Sequence, residues 1–304
     1  MAVTAAVAGG SIPGLREANG HLADPPRLRA LFDDEGYLFF RGVLNKSAVL
    51  ATGRQVLRTV VEQGLAQTGM PLTAGEDSRL QDSLNTQRLW EQLVALPDIA
   101  AFFATIAGAP VGFIPLARYR IMPPAGTTQI HQDALLNPGF EMTTAWIPLM
   151  PINEDLGGLA VAVGSHRQGC MPVDELPPLD GLWRSAAYEP GDVVLMHEAL
   201  VHTGLPNRSR ETLRLSIDVR FQNPGAPAAI VGRIAAVDAA SVRIENEAST
   251  PTKPTTLSVD ASTLLRSSTG QRIPLAVLTT SELTVGRRVI ASHRDARAVM
   301  IKPL

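Results

Sequence analysis

A chain of 304 residues with 45% hydrophobic content can bury one sizeable core and a smaller second one, because domains usually run to about 100–200 residues. With 27 basic residues against 29 acidic ones, no global field draws it toward nucleic acid or an anionic membrane, and a small-molecule partner is expected. The single cysteine, Cys170, excludes an intramolecular disulfide framework and any multi-cysteine zinc or iron-sulfur site, and its solitude fits a cytoplasmic location.

The opening MAVTAAVAGGSIPG is small and apolar but lacks the basic start and leucine-rich stretch of a signal peptide, so residues 1–24 read as a flexible lead. No apolar run of about eighteen residues is present, which argues against a membrane span. In PPRLRALF, Leu28, Leu31 and Phe32 share one helical face; the acidic cluster before Gly36 ends the helix, and Tyr37 to Phe40 form a short apolar strand. From Ala48 to Gln67 apolar residues recur at helical spacing, predicting a helical layer against a sheet.

Between Leu116 and Phe221 the texture changes to short β runs: ARYRIM, TTAWIPLMPI, GLAVAVGSH, DVVLMH and RLSIDVRF, separated by Gly, Pro, Asn and Asp. Many short strands punctuated in this way predict a double-sheet jelly roll, not a parallel βαβ fold. Beyond Asn223 further strands are expected at Arg233 to Val237, Ser241 to Glu245, Thr256 to Val259, Arg288 to Ser292 and Ala298 to Ile301. The reading is therefore mainly β with flanking helices. A double-stranded β-helix (jelly roll, cupin-like) occupies residues 25–225, and a small all-β barrel or sandwich, without a catalytic constellation, occupies 226–304.

His131-Gln132-Asp133 carries the chemistry. On a strand or strand end, the period of two puts an imidazole and a carboxylate on the same side, where both reach one metal ion. A third ligand from a distant strand would complete a two-histidine, one-carboxylate facial triad, which leaves open positions on iron. His202 is the best candidate. His197 competes with it, but the two lie five apart and face opposite sides of a regular strand. Downstream, Arg214 and Ser216 share a strand face and offer a guanidinium fork and a hydroxyl to a carboxylate; Arg220 has the same parity, farther along.

In order, spacing and flanking residues, HQD, AWIPLMPINEDLGGLAVAVGSHRQG, EPGDVVLMHEALVHTGLPNRS and LRLSIDVRF resemble the phytanoyl-CoA dioxygenase family, and DDEGYLFFRGVL resembles that family's opening strand. The resemblance spans roughly residues 25–225 and implies a non-haem Fe(II), 2-oxoglutarate-dependent oxygenase domain there. It implies that His131, Asp133 and His202 hold iron, the second histidine of the H-x4-H pair being the ligand, and that Arg214 with Ser216 clamps the 2-oxoglutarate carboxylate. Trp146 matches an aromatic position that borders the co-substrate, and Gln129 and Arg118 are candidates for further contacts to it. The implied reaction uses O2, with ascorbate as a candidate stimulant, to hydroxylate or otherwise oxidise an unactivated C–H of a small metabolite while releasing succinate and CO2; desaturation, cyclisation and epimerisation share the same chemistry and stay open. Related halogenases have a small residue at the aspartate position, so Asp133 favours hydroxylation over halogenation.

Segments 68–90 and 134–143 flank the expected opening and are expected to shape a pocket for a medium-sized biosynthetic metabolite. A zinc hydrolase could use the same three ligands, but no HExxH motif is present and Arg214 with Ser216 would lack a role. A non-catalytic jelly-roll binding protein is the other alternative, and it is disfavoured by three filled ligand positions. The blander readings make Arg214 a surface partner of Glu211 or Asp218, Trp146 a core residue, His166 a turn residue and Cys170 a small buried hydrophobe. For residues 226–304 the expectation is a role in homo-oligomerisation or in capping the site.

Overall fold

Asp24 starts the first helix, α1 (Pro25–Glu35): its side chain accepts a hydrogen bond from the Arg27 N–H at 3.1 Å, and Pro25 sits in the first turn, where a missing N–H has no intrahelical partner to lose. Gly36 ends it in the left-handed region at φ 80°. The protein is described by a computed structural model that covers residues 12–65, 74–248, 253–267, 272–273 and 283–304.

The chain forms two compact units, residues 1–135 with 142–224, and residues 136–141 with 225–304. In the first unit a five-stranded antiparallel sheet has the order β1 (Tyr37–Phe40), β6 (Val193–His197), β3 (Met142–Pro148), β8 (Arg214–Gln222) and β2 (Phe113–Met122). A second, three-stranded antiparallel sheet is ordered β5 (Trp183–Ser185), β4 (Leu159–Ala162) and β7 (His202–Gly204). This is the jelly roll that the sequence predicts.

Alternation along the strands assigns the two faces of the large sheet. Ala145, Ile147, Val193, Leu195, Leu215, Ile217, Val219 and Phe221 join the core beneath the helices, whereas Trp146, Val194 and Met196 join a second cluster with Leu159 and Val161 of the small sheet. The even-numbered residues of β8, Arg214, Ser216, Asp218 and Arg220, therefore lie on the side away from the helices. All four are buried.

The helical layer comprises α1, α2 (Lys46–Glu62), α3 (Ala74–Thr86), α4 (Leu89–Val94) and α5 (Pro97–Ala107). Helix α2 starts earlier than its apolar pattern suggests, because the Asn45 side chain caps it by accepting from the Ala48 N–H at 3.1 Å. Gln67, its expected end, lies outside the described residues. Helix α3 runs through the segment that the sequence reading assigns to a pocket wall, of which residues 68–73 lie outside the described residues. It presents few apolar anchors, chiefly Leu80 and Leu84, and uses Gln81 differently: the side-chain amide donates to the Tyr119 carbonyl at 2.8 Å and accepts from the Tyr119 N–H at 3.1 Å. Gln81 thereby pairs with the edge strand β2 as a neighbouring strand would.

Residues 14–19 are not a loose lead. Leu15 N–H donates to Ser185 O at 2.9 Å, Ala18 N–H to Phe39 O at 2.7 Å, and the Asn19 side chain pairs with the Arg41 backbone. Backbone hydrogen bonds, which leave no compositional trace, hold this stretch in place. Among the described residues, no helix is long and apolar enough to cross a membrane.

In the second unit, β9 (Ile230–Val237), β10 (Ser241–Asn246), β11 (Pro254–Ser258), β14 (Arg288–Arg294) and β15 (Arg297–Pro303) form a ring ordered β11-β10-β9-β14-β15, closed by a parallel β11–β15 bridge; β12 (Leu264–Arg266) and β13 (Arg272–Ile273) extend it beyond β15. Ile234, Val242, Ile244, Leu257, Val289 and Ile301 fill its core. Residues 136–141 belong to this unit, where the Ser292 hydroxyl donates to the Pro138 carbonyl at 2.7 Å.

Candidate metal centre

His131 and His202 are brought together by backbone pairing. The His131 N–H donates to His202 O at 3.1 Å and the His202 N–H to His131 O at 3.0 Å, which sets the two rings 4.2 Å apart between centroids. Each Nδ1 faces a carbonyl two residues earlier in the chain: Gln129 O at 2.8 Å for His131 and Leu200 O at 2.9 Å for His202. Such carbonyls favour the Nδ1–H tautomer, which leaves the Nε2 lone pair of each ring for a metal.

Asp133 opens the short helix α6 (Asp133–Leu136) and is buried, with Oδ1 3.8 Å from His131 Nε2. One ligand atom from each of His131, Asp133 and His202 lies within 4.8 Å of the others. Between them, Gln132 turns the opposite way and is fully used: its amide donates to Gly169 O at 2.8 Å and Ala199 O at 2.6 Å, and its oxygen accepts from Met171 N–H at 3.0 Å. The motif thus carries the His131–Asp133 pair on one side and anchors the loop at residues 169–171 on the other.

Burial, reinforced by the nearby His202, holds the His131 imidazole down to about 3, so it is neutral at ordinary pH. Its Nε2 is buried without a hydrogen-bond partner. For Asp133, burial alone would push the carboxyl up, but the Arg220 guanidinium and the two histidines outweigh it and hold the group well below the usual carboxylate range. Arg220 grips this carboxylate through Nη2 at 3.1 Å from both oxygens and Nε at 3.2 Å from Oδ2, while the Thr144 hydroxyl donates to Oδ2 at 2.5 Å. Beside it, Arg120 pairs with Asp218 at 2.8 Å.

A pocket lined by His131, His202, Trp146, Arg120, Arg214 and Ser216 adjoins the triad. Arg214 is buried, with Nη1 donating to Leu205 O at 2.7 Å, so it is not a surface partner of Glu211; Asp218 is paired with Arg120 instead. Arg214 Nε and Ser216 Oγ are both buried without a partner. Burial, then the neighbouring Arg120, brings the Arg214 guanidinium down to about 10, which leaves it a cation at neutral pH. Gly204 makes room for it, since a Cβ there would lie 2.7 Å from Arg214 Nη2 and 2.3 Å from Thr128 Oγ1. A two-histidine, one-carboxylate cluster beside unsatisfied arginine and serine donors suits a metal together with a carboxylate-bearing co-substrate.

Other expected residues are distributed differently. Trp146 lines the pocket and also packs edge-on against Tyr188 in the core, so both of its readings hold in part. The Gln129 side chain is exposed, and its carbonyl is the part that meets His131. Arg118 is ion-paired with Asp77 on α3, and the arginine of β2 that lines the pocket is Arg120, which the sequence reading passes over. The two have the same parity; register separates them, with Arg120 opposite Ser216 and Arg118 opposite Asp218. His197 stands apart from the triad, beside Phe32 and His166. His166 lies in a 3-10 turn with Nε2 3.0 Å from Asp33 O. Cys170 is exposed rather than buried, because Gln132 holds the backbone on either side of it and leaves its side chain outside. Thr144, Asp218 and Arg220 complete the surroundings of the triad; strand parity alone signals them.

A jelly roll with this buried triad is the architecture of the non-haem iron(II), 2-oxoglutarate-dependent oxygenases. The chain belongs to the phytanoyl-CoA dioxygenase (PhyH) family, whose match covers residues 32–215. It is 30% identical over 236 residues to a 1-deoxypentalenic acid 11-beta-hydroxylase of Streptomyces arenae, covering 66% of this chain and 82% of that one. The corresponding enzyme of Streptomyces exfoliatus is 28% identical over 237 residues, with the same coverage. Among solved structures, the epimerase SnoN in complex with Fe3+, alpha ketoglutarate and nogalamycin RO superimposes with a TM-score of 0.51 at 21% identity, covering 66% of this chain and 84% of that one. The non-heme monooxygenase ThoJ gives a TM-score of 0.51 at 19% identity, covering 67% and 81%. These last two likenesses are of fold.

Proposed function

We propose that His131, Asp133 and His202 hold Fe(II), that Arg214 and Ser216 bind the distal carboxylate of 2-oxoglutarate, and that the enzyme hydroxylates a C–H bond of an apolar small molecule. The observation that carries this reading is the convergence of three buried polar atoms without partners, His131 Nε2, Arg214 Nε and Ser216 Oγ, in residues that line one pocket. Proteins as a rule satisfy their buried polar groups, and these three, gathered at one pocket, match a metal and a carboxylate. A zinc hydrolase would leave the arginine and serine without a purpose.

Bound iron with 2-oxoglutarate and O2 supplies the oxidant, with succinate and CO2 as by-products. The chain's own contribution is placement. The paired backbones of His131 and His202 fix both rings, and their carbonyl partners at Nδ1 aim Nε2 inward. Arg214 and Ser216 orient the co-substrate from β8, Trp146 walls it, and Arg120, rather than Arg118, adds a second positive charge at the pocket. Pairing of Arg120 with Asp218 keeps that charge in place.

An apolar substrate is supported by exposed apolar side chains that lie close in the chain to the site residues. Leu135 follows Asp133 by two residues and is exposed, and Val173, just beyond the loop that Gln132 anchors, is exposed as well. The curated relatives are hydroxylases of 1-deoxypentalenic acid, which favours hydroxylation over the epimerisation of the structural relative. The solitary cysteine fits action in the cytoplasm.

The test is anaerobic titration of the purified protein with Fe(II) and then 2-oxoglutarate, following the weak visible charge-transfer band of the chelate, in wild type and His131→Ala. A band in wild type that is lost in the variant is expected. Absence of the band in wild type that retains tightly bound zinc would favour the hydrolase.

A further inference from the structure

The geometry points to a second small-molecule site on the helical side of the large sheet, suited to an uncharged, mostly apolar ligand that carries one alcohol or ketone oxygen. A cavity of about 320 Å3 lies there, at the small end of the range of about 300–1,000 Å3 that ligand pockets span. Its floor is a row across three strands, with His197 of β6 and Phe221 of β8 the register partners of Thr143 in β3. Leu28 and Phe32 of α1 and Ile106 of α5 wall it. All of these residues belong to the first unit.

The metal centre lies on the other side of the same strands. Thr144 and Arg220, which bond Asp133, are the chain neighbours of Thr143 and Phe221, and alternation sends them the opposite way. The cavity has no lining residue in common with the pocket beside the triad. The inference therefore stands apart from the iron reading.

Most of the lining is apolar, so water inside it is readily displaced by a hydrocarbon body. Three polar side chains stand together on the floor. Thr143 Oγ1 donates to Asn223 Oδ1 at 2.7 Å, which leaves the Asn223 amide nitrogen to donate elsewhere. His197, which the metal centre does not use, accepts the Ala199 N–H at 3.0 Å through Nδ1, so the proton of its neutral ring is on Nε2. Nε2 has no hydrogen-bond partner among the described residues, and burial disfavours a second proton on the ring. Two donors to spare beside one hydroxyl suit a ligand oxygen that accepts. At the rim the exposed Arg29 and Asp33 offset each other in charge, and a carboxylate taken down to the floor would be dehydrated with no ion partner there.

The test is titration of the full-length, methyl-labelled protein with octan-1-ol, followed by NMR of leucine and isoleucine methyl groups. Leu28 and Ile106 report this cavity, and Leu159 reports the pocket beside the triad. Saturable shifts at Leu28 and Ile106 are expected, with Leu159 unmoved or following a separate curve. Ala107→Phe places a ring in the cavity from the end of α5 and is expected to weaken octan-1-ol binding about tenfold or more, with circular dichroism as the check on folding. Octanoate at neutral pH is expected to bind more weakly than the alcohol. Shifts that rise without saturation, that centre on Leu159, or that persist undiminished in a folded Ala107→Phe protein overturn the site; tighter binding of octanoate overturns the ligand class. The wild-type shifts decide the site even where the variant does not fold, and they are read without iron or 2-oxoglutarate, so this inference and the iron reading fail separately.

Discussion

Gly204→Ala perturbs the proposed co-substrate clamp at Arg214 without altering a charge. The added methyl lies 2.7 Å from Arg214 Nη2, where ordinary contact begins near 3.4 Å, so the guanidinium must retreat by roughly 0.7 Å. Thr128 Oγ1, at 2.3 Å, must move farther, and it is also the acceptor for the Gly204 N–H at 2.8 Å. Retreat of Arg214 is resisted by its 2.7 Å bond to Leu205 O, so strain and lost contact share the cost. Overpacking of this kind costs about 1–3 kcal/mol of stability. Loss of one charge-assisted hydrogen bond to the co-substrate costs about 1.5–3 kcal/mol, or roughly 10- to 150-fold in 2-oxoglutarate affinity. The assay is anaerobic titration of Fe(II)-loaded protein with 2-oxoglutarate, with Fe(II) affinity measured separately and expected to hold. A folded Gly204→Ala protein that binds 2-oxoglutarate within about threefold of wild type would refute the assignment of Arg214 as the carboxylate clamp.

Two further outcomes test the surroundings. The metal-free protein is expected to lose stability as pH falls from about 6.5 toward 3, because the unfolded chain protonates His131 before the folded one does; the slope is at most about 1.4 kcal/mol per pH unit, flattens below pH 3, and shrinks in His131→Gln when followed by urea denaturation. Gln81→Ala leaves the Tyr119 N–H and carbonyl on the β2 edge without partners and is expected to destabilise by about 2–4 kcal/mol in thermal melts, with Gln81→Glu, which can still accept but not donate, falling between.

Much of the site was legible because alternation on β8 is strict. Leu215, Ile217, Val219 and Phe221 face the helices, so Arg214, Ser216, Asp218 and Arg220 must share the other side. HQD was equally legible, though Asp133 proves to open a helix rather than to continue a strand. What remained hidden depends on distant partners. Arg118 and Arg120 have the same parity, and only Asp77 on α3 and the irregular register between Ile114 and Arg118 decide which one faces the pocket. Helix α3 shows little apolar period because part of its role is a polar pairing through Gln81, and the exposure of Cys170 follows from an anchor nearly forty residues away in the chain, at Gln132.

The grouping of residues 136–141 with the C-terminal barrel has a consequence for biosynthesis. These residues leave the ribosome immediately after the HQD motif, but the strands they join begin only after residue 224. At a translation rate of about 5–20 residues per second, they wait on the order of 4–16 s for their partners, the time taken to make residues 142–224 of the jelly roll. Removing residues 225–304 would make that wait permanent and strand a six-residue segment beside Asp133. The barrel is thus stitched into the oxygenase at two points of the chain, and a shortened protein would lose more than a terminal appendage.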